Sequence, residues 1–244
     1  MPLISFITVT RNDGFEPDLL YRLSTMLNYA AMELERVGRL ADVEFIVVDW
    51  ASEKPLVEAV ELSAPAAAMT RFISLSADAI KSVGGHVDRL NIALAVNAGI
   101  RRARGQCIMV GPADILMPEC AWVGLFNLVA GEGGGSRGLG DVLYLLMRHE
   151  IPAPVISAKR LLEDLKAYVL KNTLFMDVDR VTVSAGGGAG VLVAAVSVWQ
   201  KLCGLQECCD LGIWADMEVH ARASLIGSVM SMDGMGIRCY HMGH

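Results

Sequence analysis

The sequence lacks a hydrophobic run long enough to cross a membrane. Its longest apolar stretch, Gly190 to Trp199 (GVLVAAVSVW), is about half of the roughly 20 residues that a spanning helix needs. The N-terminus, MPLISFITVTRND, lacks a basic n-region and a cleavage site, so no signal peptide is expected and a cytoplasmic location is. Cysteine pairing motifs are also missing. Cys107, Cys120, Cys203, Cys208, Cys209 and Cys239 form no CxxC and no zinc spacing, which leaves reduced thiols, several of them acting as small buried hydrophobes. Positive charge is scarce: 21 Lys and Arg stand against 27 Asp and Glu, a net charge of −6. That excludes a general nucleic-acid binder, which needs a basic face. Finally, there is no GxxxxGK[ST] loop, and no GxGxxG follows the first apolar segment. A nucleotide would therefore be held by side chains at its base and ribose, and by a metal or basic groups at its phosphates.

What is present is a chain of 244 residues, 53% apolar and 20% charged, enough to bury a sizeable core in one large domain or two small ones. Leu3 to Thr10 reads as a strand that ends in the polar loop Arg11-Asn12-Asp13-Gly14. Pro17 to Leu40 carries Leu19, Leu20, Leu23, Met26, Leu27, Ala30, Leu34 and Val37 near helical spacing. Val43 to Val48 is a second buried strand, Leu56 to Leu62 a short helix and Arg71 to Leu75 a third strand. This alternation predicts an α/β fold with a mostly parallel sheet. After Pro118 the alternation fails. Ala121 to Val129 and Ala158 to Lys171 read as helices and Val142 to Met147 as a strand, and Val181 to Val183 leads to Gly186-Gly187-Gly188. Gly131 to Gly140 (GEGGGSRGLG) reads as a flexible loop, and Gly186 to Gly188 as a break before the apolar run to Trp199. Trp214 to Leu225 is helical, and Ser228 to Met232 and Ile237 to Tyr240 are short strands. The expected organisation is a single domain over 1–244, with a first half, 1–118, and a second half, 119–244, sharing one sheet.

One stretch, Asn91 to Pro118 (NIALAVNAGIRRARGQCIMVGPADILMP), carries a helix, a stop at Gly105, the buried strand Cys107 to Val110, and then Asp114. Acids thus fall at the C-terminal ends of three predicted strands: Asp13, Asp49 and Asp114, with Asn12 and Asn97 nearby. Ligands bind at those ends in open α/β sheets, although Asp also serves such turns structurally. Both readings of Asp114, ligand contact and cap of the Pro112 turn, stand. Arg101, Arg102 and Arg104 fit either a phosphate-facing cluster or a solvated helix end.

The order of motifs resembles the GT-A glycosyltransferases, in particular glycosyltransferase family 2. ISFITVTRND is similar to that family's first strand and nucleoside loop, and VEFIVVDWAS to its second strand with a base-binding acid, here Asp49. ALAVNAGIRRARGQCIMVGPADIL resembles N-x-G-x-x-x-A-x-G-x-x-(apolar)-D-x-D. GVLVAAVSVWQKLCGLQE resembles the segment before the acceptor site, GIWADMEVHAR the pattern G-W-x-x-E-D-x-(D/E)-x-x-x-R, and YHMGH the terminal strand with its metal-binding His. There are two departures: Pro112 replaces the first acid of D-x-D, and Ala215 replaces the Glu of the Glu-Asp pair.

The resemblance implies a GT-A fold and an inverting, metal-assisted transfer of sugar from a nucleotide-sugar, a UDP-sugar by preference, to a saccharide or lipid-linked acceptor. Thr10, Arg11, Asn12, Asp13, Asp49, Asn97 and Asp114 would hold the donor nucleotide. Asp114, with His241 and His244, would bind Mg²⁺ or Mn²⁺. Asp216 would be the catalytic base, and Trp214 and Glu218 would meet the acceptor. Each role has a plain structural counterpart: an acid in a helix's first turn is stabilised by the dipole, and a Trp before a helix can staple it to the core. Peripheral membrane association and a homo-oligomer are compatible with this reading. Two rivals are a degenerate GT-A domain that only binds nucleotide or a partner protein, and a sugar-nucleotidyltransferase, for which RNDGF is a poor phosphate loop.

Overall fold

The computed structural model describes residues 1–14, 18–131, 139–152, 155–156, 162–175, 190–207 and 215–243. Trp214, His244, Cys208-Cys209, Val181 to Val183, the triple glycine after it and most of the Gly131 to Gly140 loop lie outside the described residues.

The first strands follow the period-two rule. In β1 (Ile4–Thr10) and β2 (Val43–Trp50), Ile4, Phe6, Val43, Phe45 and Val47 face one core, while Ile7, Ile46, Val48 and Trp50 face a second core behind the sheet. Helix α1 (Leu19–Arg36) covers the first face with a stripe of Leu23, Met26, Leu27, Ala30 and Leu34. It ends earlier than its apolar pattern suggests. Gly38 takes φ 67, so Arg39 N–H donates to the Leu34 carbonyl at 2.9 Å and Gly38 N–H to Glu35 at 3.0 Å. This is a Schellman end, which needs the glycine.

Short helices α2 (Leu56–Ala59) and α3 (Ala64–Met69) lead to β3 (Thr70–Leu75), and α4 (Ala77–Ser82) to α5 (Ile92–Ile100) on the second face. Asn91 caps α5, its side chain accepting from Leu94 N–H at 3.0 Å. Then come β4 (Cys107–Val110), β5 (Ile115–Leu116), α6 (Glu119–Ala130), β6 (Val142–Leu146), β7 (Arg148–Ile151), α7 (Leu162–Phe175), β8 (Val191–Ala195), α8 (Val196–Leu202), α9 (Ala215–Ile226), β9 (Ser228–Ser231) and β10 (Cys239–Met242).

Among the described residues a seven-stranded sheet runs β3-β2-β1-β4-β8-β6-β9. All neighbouring pairs are parallel except those of β8, which is antiparallel to β4 and β6. The second half thus joins the first in one sheet, as expected, and β10 and β7 also pair with β5 of the first half in a second sheet, β5-β10-β7, that the sequence did not suggest. The apolar run 190–199 is not one element: it splits into β8 and the start of α8. Cys107 and Cys239 are buried thiols, whereas Cys120 and Cys203 are exposed. No described helix is long and apolar enough to cross a membrane.

Two glycines place β4. A Cβ at Gly99 would lie 2.6 Å from Ile7 Cγ2, so only glycine lets α5 sit this close to β1. A Cβ at Gly105 would lie 2.6 Å from Ser5 N. Gly105 does not stop the helix, which ends at Ile100; it lets the chain enter β4 against the backbone of β1.

Candidate functional site

The strand order reverses between β1 and β4, the switch point where open α/β sheets bind ligands. The C-terminal ends of β2, β1 and β4 stand side by side there and bring the loops after Thr10, Trp50 and Val110 together.

The first two loops are tied to each other. Asp49 is buried, and its Oδ1 accepts from Ser52 N–H at 3.2 Å and from the Ser52 hydroxyl, while Oδ2 accepts from Leu56 N–H at 2.9 Å. The Ser52 hydroxyl oxygen in turn accepts Asn12 N–H at 2.8 Å, and the Asn12 side chain donates to the Lys54 carbonyl at 3.4 Å. Between them Ala51 is held at φ 49, a left-handed conformation costly for a residue with a Cβ. Arg11 reaches the Val87 carbonyl, and its Nε lies 3.5 Å from Asp13 Oδ2. Thr10 is buried beside Asp49 in the β1–β2 register. Thr10, Arg11, Asn12, Asp13 and Asp49 therefore form one loop cluster, with Asp49 shaping the loop through both carboxylate oxygens. Ser52, the bridge, is invisible in the sequence pattern.

Asp114 follows β4 and directly precedes β5. The β5–β10 pairing sets Ile115 opposite His241, and Met242 N–H donates to the Asp114 carbonyl at 3.0 Å. The side chains meet as a result: His241 Nε2 lies 3.1 Å from Asp114 Oδ2. Arg22 comes in from α1. Its Nη1 is 3.6 Å from the same oxygen, and its guanidinium donates to the Met242 carbonyl and, at 2.9 Å, to that of Gly243. On the far side, His241 Nδ1 donates to Glu150 Oε2 at 2.6 Å. Burial lowers the pKa of His241, but hydrogen bonds to Asp114 and Glu150 and their charges outweigh it, so the imidazole sits above its ordinary value.

The Asp114–His241 pair suits a hard divalent ion. Two neighbouring ligands of an octahedral ion at about 2.1 Å lie about 3 Å apart, close to the 3.1 Å between these donor atoms. No group of three or more candidate ligands occurs among the described residues. The protein would supply two ligands and leave the others to phosphate and water, a usual arrangement at nucleotide-bound Mg²⁺.

Other expected residues have different employment. Asn97 is buried; its amide donates to the Leu205 carbonyl at 2.8 Å and to Glu207 at 2.7 Å, and accepts from Leu205 N–H at 2.8 Å. A Cβ on Gly204 would fall 2.1 Å from Asn97 Oδ1. Asn97 is thus a staple between α5 and the turn after α8. Glu218, expected at the acceptor, is ion-paired with Arg222, with one bond at 2.9 Å, and Arg222 also holds the Leu202 and Gly204 carbonyls. Arg101, Arg102 and Arg104 lie at the opposite, N-terminal edge of β4, away from any ligand at Asp114. Arg101 pairs with Glu207, and Arg104 N–H bonds Glu44. Asp216 is half-buried in the first turn of α9, where its carboxylate accepts from Met217 N–H at 2.8 Å. No described contact joins it to Asp114.

Sequence reasoning missed Arg22 and Glu150. Arg22 could have been found: it falls on the apolar stripe of α1, three residues after Leu19, where a charge has to find a buried partner.

No protein-family model matches the sequence, and no curated protein does. Solved structures do resemble the fold. A mannosyltransferase from Pyrobaculum calidifontis, PcManGT, solved with GDP-Man and Mn2+, aligns over 98% of this chain and 56% of its own at 16% identity and TM-score 0.55. S. aureus TarS, residues 1–349, aligns over 99% of this chain and 60% of its own at 10% identity and TM-score 0.58. Its UDP complex aligns over 100% and 61% at 12% identity and TM-score 0.54. The chain has the GT-A-like fold of these structures and spans roughly three-fifths of their length.

Proposed function

We propose that the protein is a glycosyltransferase that moves a sugar from a nucleoside-diphosphate donor, with UDP-sugars the first to test, to a saccharide or lipid-linked acceptor. The observation that carries the reading is Asp114 beside His241 at the sheet's switch point, on a GT-A-like fold. GDP-Man with Mn2+ in one neighbour and UDP in another support a diphosphate donor and a divalent ion.

In this reading Thr10 to Asp13 and the Asp49–Ser52 loop receive the nucleoside. Asp114 and His241 would hold Mn²⁺ or Mg²⁺, which would supply positive charge to offset that building on the leaving diphosphate. Arg22 adds a fixed positive charge beside Asp114 and anchors the end of β10. The acceptor oxygen attacks the anomeric carbon, the bond from that carbon to the phosphate oxygen breaks, and Asp216 takes the hydroxyl proton. Attack opposite the leaving group inverts the anomeric centre.

The test is release of nucleoside diphosphate from a panel of UDP- and GDP-sugars, with Mn²⁺ and mixed saccharide acceptors. Metal-dependent release that falls about 10²- to 10⁴-fold in Asp216→Asn is expected, the usual contribution of a general base. Unchanged release in that variant removes Asp216 from the role. Pro112 and Ala215, where the family pattern has acids, favour a second reading: a domain that binds nucleotide without transferring sugar. Nucleotide binding with no release from any donor selects it.

A further inference from the structure

β7 and β10 run parallel, and their register sets His241 opposite Glu150 and Tyr240 opposite His149. Side chains alternate, so the pairs lie on opposite faces. His149 and Tyr240 pack as tilted rings with centroids 5.7 Å apart, while His241 lies between Asp114, at its Nε2, and Glu150, at its Nδ1. A slip of one residue would put His149 where Glu150 stands.

Glu150 is itself held from both ends. Arg148 Nε lies 3.7 Å from its Oε1, and Oε2 accepts the His241 Nδ1 hydrogen at 2.6 Å. Gly243 lets the end of β10 lie against β7: a Cβ there would come 2.6 Å from the Ile151 carbonyl oxygen. An imidazole has two nitrogens, and the hydrogen bond made by one decides which is left to act as a ligand.

We infer that Glu150 is a positioning residue, which holds the hydrogen of His241 on Nδ1 and so presents Nε2, beside Asp114, as the ligand nitrogen for a divalent ion. This rests on the proposed metal role of Asp114 and His241, and it adds a residue that meets neither the ion nor the donor. Carboxylates that orient a ligating histidine change metal affinity by about 10- to 100-fold when removed. Glu150 is over half exposed, so its own solvation competes and the lower end of that range is expected.

The test is Mn²⁺ affinity of the full chain with UDP or GDP present, measured from the electron paramagnetic resonance signal of free Mn²⁺. Glu150→Ala should weaken Mn²⁺ by about tenfold. Glu150→Gln should recover most of the loss, because its amide oxygen still accepts the Nδ1 hydrogen. The Tm of both metal-free variants should match that of the unmodified protein. Unchanged Mn²⁺ affinity in Glu150→Ala overturns the inference. So does an equal loss in both variants together with a lowered metal-free Tm, which marks a merely structural residue. If the unmodified protein binds nucleotide but no Mn²⁺, the metal reading itself fails and the inference falls with it; that result is read before any variant.

Discussion

The two edges of the parallel sheet each hold a buried carboxylate, and they use it differently. At the N-terminal edge Glu44 accepts from the Ser5 hydroxyl at 2.7 Å, Arg104 N–H at 2.7 Å and Arg71 Nε at 3.0 Å. At the C-terminal edge Asp114 is buried to the same degree, 8% against 9% side-chain exposure. Its near neighbours, however, are side chains at 3.1 and 3.6 Å, each anchored by someone else: His241 by Glu150, Arg22 by the Met242 and Gly243 carbonyls. Glu44 is closed by three short hydrogen bonds, one of them from backbone that cannot move away. Asp114 stands among groups held in place independently of it, the preorganised arrangement a ligand site needs. Burial alone does not separate a lock from a site; who holds the neighbours does.

Four substitutions would break or sharpen that contrast. Asp114→Ala should cost the largest effect, about a thousandfold in transfer, if the ion contributes the several kcal/mol usual for such sites; an assay of nucleoside-diphosphate release reads it. Glu44→Ala should leave nucleotide affinity intact and lower stability by about 3 to 5 kcal/mol, the cost of breaking a buried pair, measured by urea unfolding. Gly105→Ala should destabilise by about 1 to 3 kcal/mol through overpacking against Ser5, seen as a lower urea midpoint. Smallest is Ser52→Ala, which cuts the link between the loops after β1 and β2. It should weaken UDP or GDP binding by about 1 kcal/mol, roughly fivefold by titration calorimetry, with little change in stability. If Glu44→Ala instead impaired binding as much as Asp114→Ala, the two edges would not differ in kind.

The part of the fold legible in the sequence was the part governed by local periodicity. The alternating strands and helices up to β4 announce a parallel sheet, and Asp114 announces itself by following the last of them. What stayed hidden depends on contacts across distance. The small sheet β5-β10-β7 joins residues 115, 148 and 239 onward, and no window of sequence contains that pairing. Glu150 gains its meaning only from the register opposite His241. Asn97 takes its amide partners from the turn after α8, more than a hundred residues on, where Gly204 makes room for it. Gly105 read as a helix stop because glycine serves both there and at close approach; only the distance to Ser5 separates the two. Arg22 was within reach, since a charge on the buried stripe of an amphipathic helix calls for a partner.

The most direct measurement is a thermal-shift titration of the protein with UDP and GDP, each with and without Mn²⁺, alongside Asp114→Ala. A nucleotide at a hundred times its Kd adds about 2.7 kcal/mol of stability. The account predicts a shift that grows when Mn²⁺ and nucleotide are present together and loses that Mn²⁺ increment in Asp114→Ala. An increment that survives in Asp114→Ala, or no shift with either nucleotide under any condition, would contradict it.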